Sequence, residues 1–593
     1  MKHGFVELEA LRFRNVFWWG SRMSDSAANE GFLSRWGRRI TGLRNFILNF
    51  GFVLLIAFMV GALFSRPDTP SIEPNSALFL VPSGTLVEEV IPPNDWRDFL
   101  FTSADNGLIE VADVQRSIDL AANDDRISML VLKLDQLGGL TPSIAITIGE
   151  RLQAFRETGK KVIAYTEYSG QTQYLAASYA DEIFLHPMGS IMLTGLGGDR
   201  LYFAKLLEKL KVTMHIFRVG EYKSAVEPYS RNDMSPAAKQ DSARLLDGIW
   251  NAMTATIASN RGLGVDAILQ FSNEYDRLIA ATSGDGAKAT YDSGLVDGLM
   301  TKNEFRQTIG NTVGWQEDRL NGIDFQSYLA FQSPLDGNDF GADKPVIGVL
   351  TVQGNIVESG VAGATMANAE FLVEQIRAAK ENERVEALVL RVDSPGGSAF
   401  ASELIREELE SLQAAGKPVV ASFGSVAASG GYWIAAGANA IFAEPTTITG
   451  SIGIFGLVPN FSRSLNAIGV TADGVGSAPL ARGLSVVGEL SEQAQTIIQL
   501  TIDHGYSQFI DLVASGRNMS KEAVEEIAQG RIWSGATAQE IGLVDQLGGL
   551  QTAIEHAATL AALDDYTSEH IRPPIDPRSL IIMELMQASS PRV

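Results

Sequence analysis

Short runs of β-branched and aliphatic residues alternate along the chain with stretches in which apolar side chains recur every three or four positions. Residues 346–352 (VIGVLTV), 387–393 (ALVLRVD) and 418–423 (PVVASF) are apolar at consecutive positions, the pattern of strands buried on both faces. Between them, residues 369–382 (AEFLVEQIRAAKEN) and 402–416 (SELIREELESLQAAG) carry an apolar stripe at helical spacing, the second ending at Gly416. The order strand–helix–strand–helix–strand predicts an α/β fold with a mainly parallel sheet, and places catalytic groups at the C-terminal ends of its strands. Two glycine-rich turns fall there: residues 393–398 (DSPGGS) and 425–431 (SVAASGG).

A different pattern marks the N-terminal region. Residues 45–64 (NFILNFGFVLLIAFMVGALF) are free of charge, and twenty helical residues span roughly 30 Å, one hydrocarbon core. Residues 1–44 carry eight positive and four negative side chains. Positive charge flanking an apolar span predicts a transmembrane signal anchor, with the basic segment 1–44 cytoplasmic and the chain after about residue 66 exported. A buried core helix and a cleavable signal peptide are the competing readings. Against the second stand the long charged segment before the apolar run and the lack of an A-x-A-type site after it.

The patterning is also written twice. VLKLD (131–135) recurs as VLRVD (389–393), YLAASYADEIFLHP (174–187) as YWIAAGANAIFAEP (432–445) and KVT (211–213) as GVT (469–471), all at a shift of 258. SGLVDGL (293–299) echoes IGLVDQL (541–547) at 248. Matches in the same order at nearly one spacing imply two homologous domains, residues 70–305 and 343–563, with a linker at 306–342 and a tail at 564–593. The apolar octamer 579–586 within that tail is expected to dock on a surface.

Charge and composition narrow the chemistry. Asp and Glu number 70 against 47 Lys and Arg, and so acidic a chain is a poor nucleic-acid binder. No cysteine is present, which excludes thiol nucleophiles, thiolate metal sites and disulfides. The six histidines form no metal-ligand spacing, and the glycine turns at 195–198 and 354–360 lack nucleotide-binding spacing, so neither metal nor cofactor is expected.

Ser429 lies between a strand and an apparent helix (430–438), where backbone N–H groups favour an oxyanion. On local pattern alone it reads first as an ordinary helix N-cap, and the SPGG turn can be only a tight turn. At the 258 shift Ser429 faces Gln171, which cannot act as a nucleophile. No histidine occupies an equivalent strand-end loop; His504, expected to follow a helix, reads as a surface residue. The other common base for a serine is a desolvated lysine.

Residues 220–235 (GEYKSAVEPYSRNDMS) and 426–456 (VAASGGYWIAAGANAIFAEPTTITGSIGIFG) resemble the signature segments of the signal peptide peptidase A family in its long, duplicated form. That resemblance implies two tandem domains of Clp protease/crotonase type behind a membrane anchor, and a serine endopeptidase using a Ser/Lys dyad. Residue by residue it implies Ser429 as nucleophile, Lys223 as general base and Ser451 as the hydroxyl that orients the lysine. Gly396, Gly397 and Gly430 fall where the family builds its oxyanion hole. Lys223 shifted by 258 falls on Ala481, and Ser451 shifted back falls on Leu193, so each copy keeps one half of one site. Glu221 and Glu227 would raise the lysine's pKa if they faced it, and are expected to face away.

The resemblance further implies cleaved signal peptides and other hydrophobic peptides as substrates and a homotetramer. It places the protein in the bacterial inner membrane as a single-pass protein with periplasmic catalytic domains. Two other classes share parts of the pattern: a crotonase-like acyl-CoA enzyme, which would need a CoA-phosphate site, and a non-catalytic membrane scaffold. A scaffold has no reason to hold Ser429 and Lys223 in opposite copies.

Overall fold

The computed structural model describes residues 44–46, 48–53, 56, 72–90, 107–332, 344–360 and 365–572. The chain divides into two compact units, Met1–Thr69 and Pro70–Val593. In the first, the described residues are helical. Among the described residues no helix is long and apolar enough to cross a membrane. Most of the span expected at 45–64, all of 1–43, and the octamer 579–586 lie outside the described residues.

The second unit holds two mainly parallel sheets of matching order, as the repeat predicts. In the first copy the strands run Gly322–Asp324, Ser76–Leu80, Ile127–Leu132, Lys161–Gly170, Glu182–Met192 and Gly298–Leu299, every neighbouring pair parallel. In the second they run Thr567–His570, Val346–Gln353, Val385–Ser394, Val419–Ala428, Ala440–Ala443 and Gln546–Leu547, again all parallel. The central strands are buried at most positions because helices cover both faces, and Val346–Gln353 is buried at every one. The amphipathic stretches form the helices Ala369–Glu381 and Ala399–Ala414.

Two boundaries differ from the sequence expectation. The stretch 306–342 is not merely a connector: the helix Lys302–Val313 and the strand Gly322–Asp324 lie within or across its start, and that strand forms the edge of the first sheet. Residues 567–570, expected in an extended tail, form the matching edge strand of the second sheet. Such edge strands are three or four residues long and half exposed, too short to show a period in the sequence.

Four features of this frame build the site. The Val419–Ala428 strand changes neighbours along its length. Its first half pairs with Ala440–Ala443 and its last three residues with Ile448–Gly450, so that Ala428 lies opposite Gly450. Ser429 and Ser451, one step further along each chain, are therefore side by side. The Thr213–Val219 strand of the first copy pairs antiparallel with Ile454–Asn460 of the second, with Val219 opposite Ile454, which carries residue 223 back towards residue 451. The copies are further locked by Arg391, whose guanidinium donates to both carboxylate oxygens of Glu88 at 2.7 and 3.0 Å, fully inside the protein. Finally, the first copy's Pro142–Glu157 helix docks on the second through Thr141–Ser425, Ser143–Thr446 and Thr147–Glu444 side-chain hydrogen bonds.

Candidate active site

Ser429 sits at the N-cap position of the helix Gly430–Ala435, yet its side chain caps nothing. Its backbone is in the left-handed region, φ 54° and ψ −117°, where a residue with a Cβ is strained. The turn is held by Ser429 N–H donating to the Gly450 carbonyl (2.9 Å) and Trp433 N–H to the Ser429 carbonyl (2.9 Å). Ordinary capping is thus excluded, and the hydroxyl is turned away from the helix. It accepts a hydrogen bond from Lys223 Nζ at 3.1 Å, across 206 residues of sequence and between the two copies.

Lys223 is almost wholly enclosed, 4% exposed. Its Nζ also donates to Ser451 Oγ at 2.9 Å and to the Ser451 carbonyl at 2.7 Å. Burial pushes its pKa down to about 7 from the usual lysine range, because the charged ammonium loses water there. Glu221 is exposed, and the Glu227 carboxylate accepts from Ser235 N–H at 3.1 Å; neither charge contributes to the lysine's shift. The expectation that both face away therefore holds.

The segment 220–223 is seated on residues 529–531 of the second copy. Tyr222 N–H donates to the Gln529 carbonyl (2.9 Å), and the Arg531 guanidinium stacks 4.3 Å above the Tyr222 ring. Gly530 (φ 79°) makes this contact possible, since a Cβ there would stand 2.6 Å from the Lys223 backbone nitrogen. None of this second-copy cradle was singled out in the sequence. Its one signal was a glycine in a polar segment.

The glycines expected at the oxyanion hole separate into two roles. Gly396 (φ 98°) donates its N–H to Ser394 Oγ at 3.1 Å, and its carbonyl accepts from Ile356 N–H, so it shapes the turn. The N–H groups of Gly397 and Gly430 make no backbone hydrogen bond among the described residues. They lie together: an added Cβ on Gly430 would sit 3.1 Å from Gly397 N. Two unused donors beside a serine hydroxyl suit a developing oxyanion. Asp393 fixes the spacing of these loops by accepting from Val426 N–H at 2.9 Å, and its own pKa is pushed up to about 6 by burial.

The equivalent corner of the first copy lacks this arrangement. Gln171 begins a helix, Gln171–Ala177, and donates through its side-chain amide to the Gly195 carbonyl at 3.1 Å. His504 does not follow a helix but lies within one, Glu492–Gly516, exposed. Among the described residues no group of His, Asp and Glu could hold a metal.

Known proteins resemble the chain along most of its length. The description "Peptidase family S49" matches residues 154–314 and 411–564, one segment in each copy. Protease 4 of Haemophilus influenzae is 38% identical over 542 residues, covering 89% of this chain and 87% of that protein. The chloroplastic serine protease SPPA of Arabidopsis thaliana is 30% identical over 73% of this chain and 63% of its own length. A putative signal peptide peptidase SppA of Enterococcus faecium is 36% identical over 42% of this chain and 73% of its own.

Proposed function

The chain belongs to peptidase family S49 and is a serine peptidase, and from that premise we propose that Ser429 and Lys223 form its catalytic dyad in a membrane-anchored endopeptidase acting on hydrophobic peptides, cleaved signal peptides above all. The observation that carries the dyad is the 3.1 Å contact between Lys223 Nζ and Ser429 Oγ, made by a lysine that burial renders basic near neutrality.

Neutral Lys223 takes the Ser429 proton as Oγ attacks the scissile carbonyl. The tetrahedral oxyanion settles between the Gly397 and Gly430 N–H groups. The lysine ammonium, held by Ser451, gives its proton to the leaving amine, and the neutral amine then activates water to release the acyl-enzyme. Both copies belong to the Clp protease/crotonase class of fold on this reading. An acyl-CoA enzyme would have no use for the Ser/Lys pair.

The membrane anchor rests on the uncharged stretch 45–64 and its basic flank. It makes the protein single-pass, with residues 1–44 cytoplasmic and the catalytic copies exported to the periplasm. Signal peptides released into the same membrane are then at hand, and the name of the Enterococcus relative points the same way.

A homotetramer is supported by unfinished pairing. In each copy a six-residue helix, Ala204–Lys209 or Ser462–Ala467, separates one paired strand from a segment that forms no strand. Within the chain, the second segment of copy one pairs with the first of copy two. Their counterparts, residues 196–202 and 471–477, join no strand pair among the described residues and expose Leu201 (72%) and Val475 (100%). A head-to-tail ring satisfies both edges with the contact already present inside the chain.

A fluorophosphonate probe tests the dyad: it should label wild type, fail on Ser429→Ala and label Lys223→Ala far more slowly. Labelling of Lys223→Ala at the wild-type rate would remove the lysine from the mechanism. A cytoplasm-only reporter that is active at residue 340 would overturn the topology.

A further inference from the structure

The segment 529–534 touches every member of the reacting group. Its Gln529 carbonyl accepts from Tyr222 N–H beside the lysine, and its Arg531 carbonyl accepts from Ser451 N–H at 2.6 Å. The strand Ile532–Ser534 then pairs antiparallel with Ile448–Gly450, Ile532 lying opposite Gly450. The Gly450 carbonyl is the one that accepts from Ser429 N–H. A slip of this strand would therefore move Lys223, Ser451 and Ser429 relative to one another.

Among the described residues no strand pairs with the outer edge of Ile532–Ser534. An edge ordinarily leaves its N–H and C=O groups to water; here the Pro236–Arg261 helix of the first copy takes them. Asp241 Oδ2 accepts from Ile532 N–H at 3.1 Å, Arg244 Nη2 donates to the Ile532 carbonyl at 2.8 Å, and the two side chains also contact each other. The Arg244 guanidinium lies 3.5 Å from the centroid of the Trp533 ring. Trp533 in turn packs on Gly450, where an added Cβ would stand 2.7 Å from the indole Cδ1. Asp241, Arg244 and Gly248 share one helix face by their spacing of three and four, and a Cβ on Gly248 would stand 3.1 Å from Ser534 Oγ. Burying a carboxylate costs hydration that an apolar cover would not, so the polar pair calls for a reason beyond packing.

Resting on the reading of Ser429 and Lys223 as the dyad, we propose that Asp241 and Arg244 are positioning residues, which clamp Ile532 from the first copy and so hold the 529–531 seat in the register that encloses Lys223 against Ser429 and Ser451. The enclosure is made by backbone close at hand: an added Cβ on Gly453 would stand 3.3 Å from Lys223 Cδ, and one on Gly530 2.7 Å from Lys223 Cβ. Charged groups nearby are engaged elsewhere. Glu221 is exposed, Glu227 accepts from Ser235 N–H, Arg218 donates to the Lys223 carbonyl at 3.4 Å, and Arg531 stacks on Tyr222. Water admitted by a loosened seat would hydrate the ammonium and delay its deprotonation to higher pH.

The test uses the full-length protein, with fluorophosphonate labelling and kcat/KM on a fluorogenic apolar peptide followed from pH 6 to 9.5. Asp241→Leu should raise the midpoint of both profiles by about one pH unit, which lowers the rate about fivefold at pH 7 and restores most of it by pH 9, with KM little changed. Asp241→Asn keeps a carbonyl acceptor for Ile532 N–H and should keep the wild-type midpoint. Arg244→Met, at a side chain 38% exposed, removes the donor to the Ile532 carbonyl and should raise the midpoint too; it carries the test where Asp241→Leu does not fold. In a Lys223→Ala background, Asp241→Leu should no longer change labelling, because the lysine it positions is gone. A lowered melting temperature with an unmoved midpoint, or the same fold-loss of labelling with and without Lys223, would reduce the pair to edge packing and overturn the proposal. Wild type that fails to label, or labels at one rate from pH 6 to 8, would instead overturn the dyad on which the clamp rests.

Discussion

Lys223→Arg keeps a cation at the site but removes the base, which makes it the sharpest test of why the lysine is buried. Enclosure brings the wild-type amine down to about 7, with no charged neighbour contributing. It is then about one-tenth neutral at pH 6, half neutral at pH 7 and nine-tenths neutral at pH 8. A rate that needs neutral lysine should rise roughly tenfold across that window and flatten above it. Lost hydration is what leaves a useful fraction of the amine neutral, and so able to take a proton, near pH 7. An arginine has a pKa above 12 and stays protonated even when buried, so its neutral fraction at pH 8 is below about one in ten thousand. General-base assistance is worth 10²–10⁴-fold, and Lys223→Arg should lose at least about 10³ in kcat/KM. The assay is kcat/KM on a fluorogenic apolar peptide between pH 5.5 and 9, with fluorophosphonate labelling in parallel. A flat wild-type profile from pH 6 to 8, or more than a tenth of wild-type activity in Lys223→Arg, would refute the argument.

Three further outcomes follow from the same geometry. Ser451→Ala removes one of three oxygens accepting from Nζ and leaves the Ser451 carbonyl at 2.7 Å and Ser429 Oγ at 3.1 Å. It should lower kcat/KM by about 1–3 kcal/mol in transition-state free energy, whereas Ser429→Ala abolishes turnover, and Ser429→Ala with Lys223→Ala is no worse than Ser429→Ala alone. Glu88→Gln strips Arg391 of its buried partner and should cost about 3–5 kcal/mol of stability in urea unfolding; a cost under 1 kcal/mol would show that the pair is not what locks the copies together. Burial raises Asp393 to about 6 and Glu444 to about 7, so the folded state holds protons that the unfolded chain releases near pH 4. Their contribution to stability is present below about pH 4 and is lost as pH rises towards 6–7, and Asp393→Asn should flatten that part of the stability–pH curve.

The residues brought together here were legible for an identifiable reason. A 258-residue shift aligned both copies and showed Gln171 facing Ser429 and Ala481 facing Lys223. The strands 346–353, 385–394 and 419–428 were plain as apolar runs because they are buried on both faces. What pairing alone decides was hidden. The switch of the 419–428 strand from Ala440–Ala443 to Ile448–Gly450 sets Ser429 against Ser451, and it depends on register rather than composition. The left-handed backbone of Ser429 has no local signature, since that serine reads as a cap until its side chain is seen to cap nothing. Gly396 and Gly397 look interchangeable in the sequence, and only the Ser394 hydroxyl distinguishes the occupied N–H from the unused one. The edge strands 322–324 and 567–570 were missed because three or four half-exposed residues carry no period.

The order of the two halves along the polypeptide has a bearing on how the cell makes this protein safely. Domains tend to fold as they emerge, N-terminal part first. The half bearing Lys223 is synthesised 206 residues ahead of Ser429, and on its own it contains a proton acceptor with nothing to activate. The hydroxyl arrives late, and it acquires a base only when Gly530 and Arg531, some hundred residues later still, form the seat for the 220–223 segment. On the proposed dyad, a ribosome that stalls anywhere in the first two-thirds of the message releases a chain that lacks the nucleophile.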